Sequence, residues 1–261
     1  MKYLVTGAAG NLARQIVERL LESGHEVLAL DLPESAPVEC RYEQADITNH
    51  QRIDSIFRGF KPQRVIHMAS LLSGSSEANP KLAWEVNATA SYRMLELCVE
   101  LGVERFFYPS TAATYGENLP DPLPEDYPQW PVTIYGATKV AVERTGVWFS
   151  LKRNLDFRSV RLPMVLSPYA PAAAVTAYAS HSFAAAVRGE KFVFPVKPAT
   201  GISTIYVKDV VTGILQITDA DPSVLTQRVY NLHGFGPTAG DIAAAITSIL
   251  PAFEHAFEPT E

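Results

Sequence analysis

The stretch KYLVTGAAGNLA, residues 2–13, decides the fold. KYLVT has strand character and runs straight into a glycine-rich turn, and the turn opens a helix that should reach to about residue 23. Gly7, Gly10 and Ala13 follow one another at intervals of three. Such a turn brings backbone N–H groups close to a pyrophosphate, and the helix N-terminus behind it adds a partial positive charge. Taken alone, the same pattern also serves a tight strand-to-helix turn that binds nothing. Asp31 raises the odds of binding. It closes the next apolar run, EVLAL (26–30), eighteen residues beyond Ala13, where a carboxylate accepts hydrogen bonds from a ribose hydroxyl. A carboxylate there repels a 2′-phosphate, so NAD is expected in preference to NADP. Arg14, on the first helix, is read as solvated.

Outward from this stretch, short β-rich runs alternate with helical ones. RVIHMA (64–69), RFFYPS (105–110) and FRSVRL (157–162) read as strands; 48–59, 80–101 and 135–153 read as helices. Nearly continuous apolar strands separated by amphipathic helices indicate a parallel sheet covered on both faces. The expected class is α/β, a Rossmann-type doubly wound parallel sheet with a small C-terminal substrate lobe. Beyond residue 163 the texture changes: Pro163, Pro168, Pro171, Pro195 and Pro198 break the chain. PAAAVTAYASHSFAAAVRG (171–189) reads as a loop leading into a helix. Residues 1–165 are expected to form a dinucleotide-binding domain and 166–261 mainly the lobe. Segments 203–218 and 228–231 are expected to return to the sheet.

Bulk properties narrow the function. The 261-residue chain is 47% hydrophobic and 19% charged, ordinary for a soluble globular protein. A net charge of −6 leaves no basic footprint for nucleic acid or anionic lipid. Cys40 and Cys98 fit no metal or redox spacing and read as packing residues in a reducing compartment. The N-terminus MKYLVTGAAG holds no apolar run long enough for a signal peptide or a membrane span. A cytoplasmic enzyme or binding protein with a small-molecule partner, no metal and no membrane association is the expectation.

YGATK (135–139) sets a tyrosine four residues ahead of a lysine, and on a helix these share a face. An amphipathic helix with a packed Tyr and a solvated Lys would read the same way. The rest of the chain changes that reading. TGAAGNLA, Asp31, the DI of ADITN (45–49), HMAS (67–70), VNATA (86–90), YPSTAATYG (108–116), YGATK, RLPMVLSP (161–168) and IYVKDV (205–210) occur in this order. Together they resemble the short-chain dehydrogenase/reductase superfamily, in its extended branch of epimerases, dehydratases and dehydrogenases. The resemblance covers residues 1 to about 250.

It implies a role for each matching residue. Tyr135 would be the catalytic acid/base, and Lys139 would assist it and hold the ribose hydroxyls. Thr111 would bond the substrate oxygen, in preference to its neighbour Ser110, and Asn87 would shape the site. Gly7, Gly10, Asn11 and Leu12 would meet the NAD phosphates and Asp31 the ribose. Asp46 and Ile47 would meet the adenine edge, and Met68, Ala69 and Ser70 would line the cofactor. Pro163 and Val165 would face the nicotinamide carboxamide. Substrate contacts would come from Ser73, Thr111, Met164, Tyr169 and Tyr178. His67 would be structural. A free phenol has a pKa near 10, and a nearby ammonium with a cationic ring would lower it.

Departures from the pattern point to the reaction. Sugar-nucleotide epimerases of this branch carry an Arg where Ile202 stands and an Asn where Met164 stands. Ile or Met cannot replace an Arg fork on a diphosphate. LLSGSSEANPKLAWEVN (71–87) is closer to short-chain-type L-threonine dehydrogenases and to dehydrogenases of four-carbon sugar acids such as erythronate. The expected function is oxidation by NAD of a secondary alcohol on a small hydroxy acid or polyol. Sugar-nucleotide epimerisation with retained NAD, and non-catalytic dinucleotide sensing, are the alternatives. Ser167, Gly201 and Ala172 replace polar or basic residues expected around a substrate carboxylate, and Tyr169, Tyr178, His181 and Phe183 offer a more apolar lining. Helices 80–101 and 135–153 form a dimer interface in the resembled family, so a homodimer is expected.

Overall fold

A computed structural model of the chain describes residues 1–36, 38–170 and 175–259, so Pro171 and Ala172 lie outside the described residues. The chain divides into two compact units, Met1–Leu162 with Val211–Asn231, and Pro163–Val210 with Leu232–Glu261.

In chain order the first unit builds β1 (Lys2–Thr6), α1 (Asn11–Glu22), β2 (Glu26–Asp31), β3 (Arg41–Gln44), α2 (His50–Phe60) and β4 (Arg64–His67). Then come α3 (Ser73–Ala78), α4 (Pro80–Trp84), α5 (Ala90–Glu100), β5 (Arg105–Thr111), α6 (Ile134–Arg153) and β6 (Asp156–Leu162). The second unit holds β7 (Met164–Leu166), α7 (Tyr178–Val187), β8 (Phe192–Phe194) and β9 (Thr204–Tyr206). α8 (Val207–Asp219) leads back to β10 (Val229–Asn231) in the first unit, and α9 (Ala239–Ile249) and β11 (His255–Phe257) complete the second.

Seven strands form one parallel sheet in the order β10-β6-β5-β4-β1-β2-β3. This is the doubly wound α/β arrangement expected from the apolar runs. The five strands read from sequence are its central members and are buried along most of their length. β3, sequence RYEQ, carries no apolar alternation because it is an edge strand, half-buried or exposed throughout.

Residues 204–206 correct the expectation that this segment returns to the large sheet. β9 pairs with β7 in a separate two-stranded sheet, Met164 opposite Thr204, and Met164 N–H donates to Ser203 O at 3.0 Å. Pro163 separates β6 from β7; with no N–H it cannot extend the ladder, and the strand changes sheets there. Among the described residues beyond Pro163, β10 alone rejoins the large sheet, pairing Val229–Asn231 with β6.

Return to the first unit is secured at the C-terminus of α8. Arg158, almost fully buried, donates to the carbonyls of Ile217 (2.6 Å) and Ala220 (2.7 Å), and Arg105 donates to Thr218 O. These are carbonyls a helix end leaves unpaired. Asp156 balances the charge, meeting Arg105 at 2.8 Å, Arg158 at 2.7 Å and Arg228 at 2.8 Å.

The second unit has its own core, in which the Phe194 ring lies 5.0 Å from both Phe192 and Phe257, with Ile242 and Ile246 of α9 beside them. Thr238 and Asp241 form a reciprocal capping box that starts α9.

Candidate active site

Strand order reverses between β1 and β4, and in open parallel sheets a crevice forms at the carboxyl ends of the strands there. Gly7 stands at that point with φ +65°, and a Cβ added to it would lie 2.5 Å from the backbone N of Ala69. Only glycine fits. Gly10 N–H bonds back to Gly7 O at 2.9 Å, and Gly10 caps α1 without any side-chain acceptor. The first turn of α1 is thus presented without a carboxylate or hydroxyl cap of its own, and that cradle suits a pyrophosphate. Asn11 and Leu12 are the first two residues of α1.

Asp31, at the end of β2, turns toward this cradle. Its Oδ2 accepts from Ala9 N–H at 2.8 Å and its Oδ1 from Leu32 N–H at 2.7 Å. Each oxygen keeps acceptor capacity for a ribose hydroxyl. NAD is therefore expected to bind at least about tenfold more tightly than NADP, roughly 1.4 kcal/mol, and Asp31→Ser to narrow the gap. Calorimetric titration with both dinucleotides checks this, and equal dissociation constants in the unaltered protein would defeat the assignment. Asp46 is exposed and accepts from Thr48 N–H (2.9 Å) and Oγ1 (2.8 Å), Ile47 is buried beside it, and Asn49 caps α2.

Beneath the cradle a chain of neutral groups joins β1, β4 and α5. Thr6 Oγ1 lies 2.6 Å from His67 Nδ1, His67 Nε2 lies 2.9 Å from Ser91 Oγ, and Ser91 donates to Asn87 O at 2.7 Å. Ala69 N–H donates to Thr6 Oγ1 at 3.3 Å and Met68 N–H to Thr6 O at 3.2 Å, which fixes the strand end carrying Met68, Ala69 and Ser70. Burial, helped by the Lys139 charge, pushes His67 down to about 3. The unfolded imidazole, near 6.5, therefore takes up a proton that the folded one refuses, and stability falls as pH drops through the window from 6.5 to 3. Between pH 6.5 and 5 the loss should be about 1.5 kcal/mol. Urea titrations at both pH values, with His67→Gln as the comparison, check it; identical slopes for the two proteins would remove the assignment.

Asn87 sits fully buried in a π-helical segment, Glu85–Thr89, between α4 and α5. The extra residue in that turn is a local feature that helical periodicity alone does not reveal. Its side chain accepts from Leu71 N–H at 2.8 Å and donates to Leu71 O at 3.0 Å, and it lies 3.4 Å from Thr138 Oγ1 on α6. Ser70 Oγ also donates to it at 3.2 Å. Asn87 thus ties the segment after β4 to the helix carrying Tyr135. Ser73 begins α3, which follows directly.

α6 supplies the reactive pair. Thr133 caps it through Gly136 N–H at 3.0 Å. Gly136 permits a close approach, since a Cβ there would lie 2.4 Å from Ala113 O. The first turn of α6 consequently rests against the residues that follow β5, and Thr111 lies near enough to the Tyr135 phenol to favour its ionised form. Thr111 Oγ1 also accepts from Ala113 N–H at 3.2 Å. Lys139, 2% exposed, donates to Pro109 O at 3.0 Å and lies 4.5 Å over the Tyr108 ring and 5.5 Å over the Tyr135 ring.

Burial dominates the electrostatics here. It pushes the Tyr135 phenol up to about 12, only partly offset by Thr111, and pulls the Lys139 ammonium down to about 7, against the opposing pull of Glu143. In the protein alone the ammonium does not lower the phenol below its ordinary value. The expected lowering has to come with a further positive charge in the site.

Sequence reading missed the residues behind the pair. Glu143, with no exposed surface, accepts from Arg161 (2.8 Å), Gln129 (3.0 Å) and Ser110. Ser110 is thereby committed to the interior and Thr111 is left for the site. Nothing in the spacing of charges marks Glu143 apart from a solvated helix face; only its position one turn beyond Lys139 could have drawn attention to it.

Of the remaining expected site residues, Pro163, Met164, Val165, Tyr169 and Tyr178 belong to the second unit. Met164 and Tyr178 are each 8% exposed in its core, Tyr178 edge-on to Phe194 at 6.3 Å. Val165 O accepts from Ser180 Oγ at 3.3 Å. Tyr169 is 56% exposed. Among the described residues no group of three or more His, Cys, Asp or Glu is placed to hold a metal.

Residues 3–232 match the NAD dependent epimerase/dehydratase family. An uncharacterized epimerase/dehydratase of Staphylococcus saprophyticus is 32% identical over 97% of this chain and 82% of its own length. A GalE-like L-threonine dehydrogenase from Cupriavidus necator, solved in its holo form, superposes with a TM-score of 0.95 at 29% identity, over 100% of this chain and 86% of that one. UDP-glucose 4-epimerase of Thermotoga maritima, solved with UDP-glucose, superposes with a TM-score of 0.88 at 26% identity, over 100% and 86%. With the glycine cradle, the acidic end of β2 and the Tyr-x-x-x-Lys helix all in place, the chain belongs to the NAD dependent epimerase/dehydratase family, within the extended short-chain dehydrogenases/reductases.

Proposed function

We propose that the protein is an NAD-dependent dehydrogenase that oxidises a secondary alcohol on a small hydroxy acid or polyol. The observation that carries this is the Lys139 ammonium 5.5 Å from the Tyr135 ring on α6, with Thr111 acting on the Tyr135 phenol, in a unit whose first strand ends in a turn that only glycine fits. Thr111 would hold the substrate hydroxyl oxygen and Tyr135 would take its proton. When bound, NAD supplies the carbon that accepts the hydride and a positively charged ring. That ring is the further charge needed to bring a phenol near 12 into use as a base close to neutral pH. Lys139 would orient the ribose hydroxyls and, when protonated, favour the phenolate. The first unit is assigned to the dinucleotide and the second to the substrate, with Met164, Tyr169 and Tyr178 as substrate-side residues. The setting proposed is a reducing, cytoplasmic one, in keeping with two free cysteines, Cys98 buried and Cys40 half-buried.

A sugar-nucleotide epimerase is the second reading, favoured by the likeness to UDP-glucose 4-epimerase. Ile202 and Met164 weigh against it, because neither can pair with a diphosphate. One assay separates the two. Purified protein with NAD is screened at 340 nm against threonine, erythronate, threonate, simple uronates and small diols, alongside UDP-glucose and UDP-galactose. Steady NADH release with an alcohol supports the dehydrogenase. Interconversion of the sugar nucleotides without net NADH would sink it. A sensor without turnover would bind NAD yet give neither signal.

The assembly proposed is a homodimer. Trp84, Ala88, Thr89, Tyr92, Ala141, Val142 and Thr145 line an apolar groove of about 280 Å³, with Trp84 47% and Tyr92 41% exposed. Light scattering at micromolar concentration should give twice the 28.6 kDa chain mass, and a monomer would remove the proposal.

A further inference from the structure

We propose that Glu143 is a positioning residue for the Tyr135–Lys139 pair, fixing α6 against the ends of β5 and β6 and supporting the positive charge of Lys139. This rests on the acid–base reading given above. Ser110 of β5 and Arg161 of β6 are register partners in the sheet, and Glu143 holds both. Ser110 donates to one carboxylate oxygen; Arg161 donates through Nε at 3.0 Å and through its terminal nitrogen at 2.8 Å. One buried side chain thereby pins the helix bearing Tyr135 to the strand bearing Thr111, one residue before Thr111 itself. Arg161 carries the link on, donating to Tyr115 Oη at 2.7 Å, which in turn donates to Asn231 on β10 at 2.7 Å.

Among the described residues, Glu143 is also the carboxylate that acts on Lys139. β4 contributes His67, held neutral, β5 contributes the Tyr108 ring, and Tyr135 lies on α6 itself; Arg161 of β6 is engaged by Glu143. Glu143 is four residues from Lys139 on one helix face, and its charge opposes the burial that strips the lysine of its proton. Loss of that carboxylate would leave Arg161 as an uncompensated buried cation in the same interior.

The test reads Lys139 directly, without substrate or cofactor. Protein labelled with ¹³C-lysine is titrated by NMR, with the Lys139 Cε resonance identified by its disappearance in Lys139→Arg. Glu143→Gln should move the Lys139 midpoint down from about 7 by about one unit, while Glu143→Asp, which keeps the charge, should leave it near the wild-type value. A purely structural residue would lower thermal stability without moving that midpoint, so a stationary midpoint overturns the proposal. If Glu143→Gln does not fold, the double variant Glu143→Gln with Arg161→Met removes both buried charges; a smaller fall in the same direction is expected of it, because the unpaired cation goes with the carboxylate, and a stationary midpoint there overturns the proposal as well. Retained turnover in Tyr135→Phe would defeat the acid–base reading and leave the titration standing. An inactive Tyr135→Phe with a stationary midpoint would defeat only the role given to Glu143.

Discussion

Tyr135→Phe is expected to lower turnover by about 10² to 10⁴ while leaving the fold and NAD affinity as they were. The substitution removes one oxygen and keeps the ring that lies 5.5 Å beneath the Lys139 ammonium, so the packing of the first turn of α6 is preserved. The oxygen removed is the phenol whose ionised form Thr111 favours. Without it the alcohol proton has no acceptor in position, because Lys139 is already committed to Pro109 O and His67 is locked between Thr6 and Ser91. Initial rates at 340 nm on the substrate found by the panel, with calorimetric NAD titration of the same preparation, read the two quantities separately. Turnover equal to wild type would show that another group moves the proton. Equal losses in turnover and NAD affinity would show that the phenol serves binding rather than chemistry.

The legibility of the sequence follows from where each residue sits. Central strands bury both faces, so their apolar runs were plain, and α6 was bounded correctly because Thr133 and Asn154 are ordinary caps. Gly7 and Asp31 were legible from strand–turn–helix spacing, whereas the roles proposed for Thr111, Tyr135 and Lys139 come from the resemblance to the extended short-chain dehydrogenases/reductases. β3 was missed because an edge strand needs no apolar alternation. The strand exchange at Pro163 was missed because residues 204–206, TIY, look the same whether they join a large sheet or a small one. In the protein alone burial raises the Tyr135 phenol to about 12, whereas the lowering expected was that of an ammonium together with a cationic ring. Charge neighbours can be counted along a helix, but the degree of burial depends on β5, β6 and α5 closing over the site together. Glu143 was missed for the same reason.

Gly7→Ala is expected to destabilise the fold by about 3 kcal/mol, combining left-handed backbone strain with overpacking, and to weaken NAD binding by more than about tenfold. Gly24 provides the control, since it has φ +75° but nothing within 4 Å of an added Cβ. Gly24→Ala should therefore cost only the strain, about 1 kcal/mol. At Gly7 the methyl would meet Ala69 N at 2.5 Å, Ala69 Cα at 2.7 Å and the Met68 carbonyl carbon at 2.8 Å, all backbone atoms. They cannot yield separately from the sheet. Thr6 and His67 are register partners on β1 and β4, and the Thr6–His67–Ser91 chain binds both strands to α5. Relief must come from the turn itself, which moves Gly10 and the first turn of α1 away from where a pyrophosphate would sit. Urea unfolding of both variants isolates the overlap from the strain, and NAD titration reads the displacement of the turn. If Gly7→Ala were as stable as Gly24→Ala and bound NAD as wild type does, the close contact between this turn and the end of β4 would not be what demands glycine there.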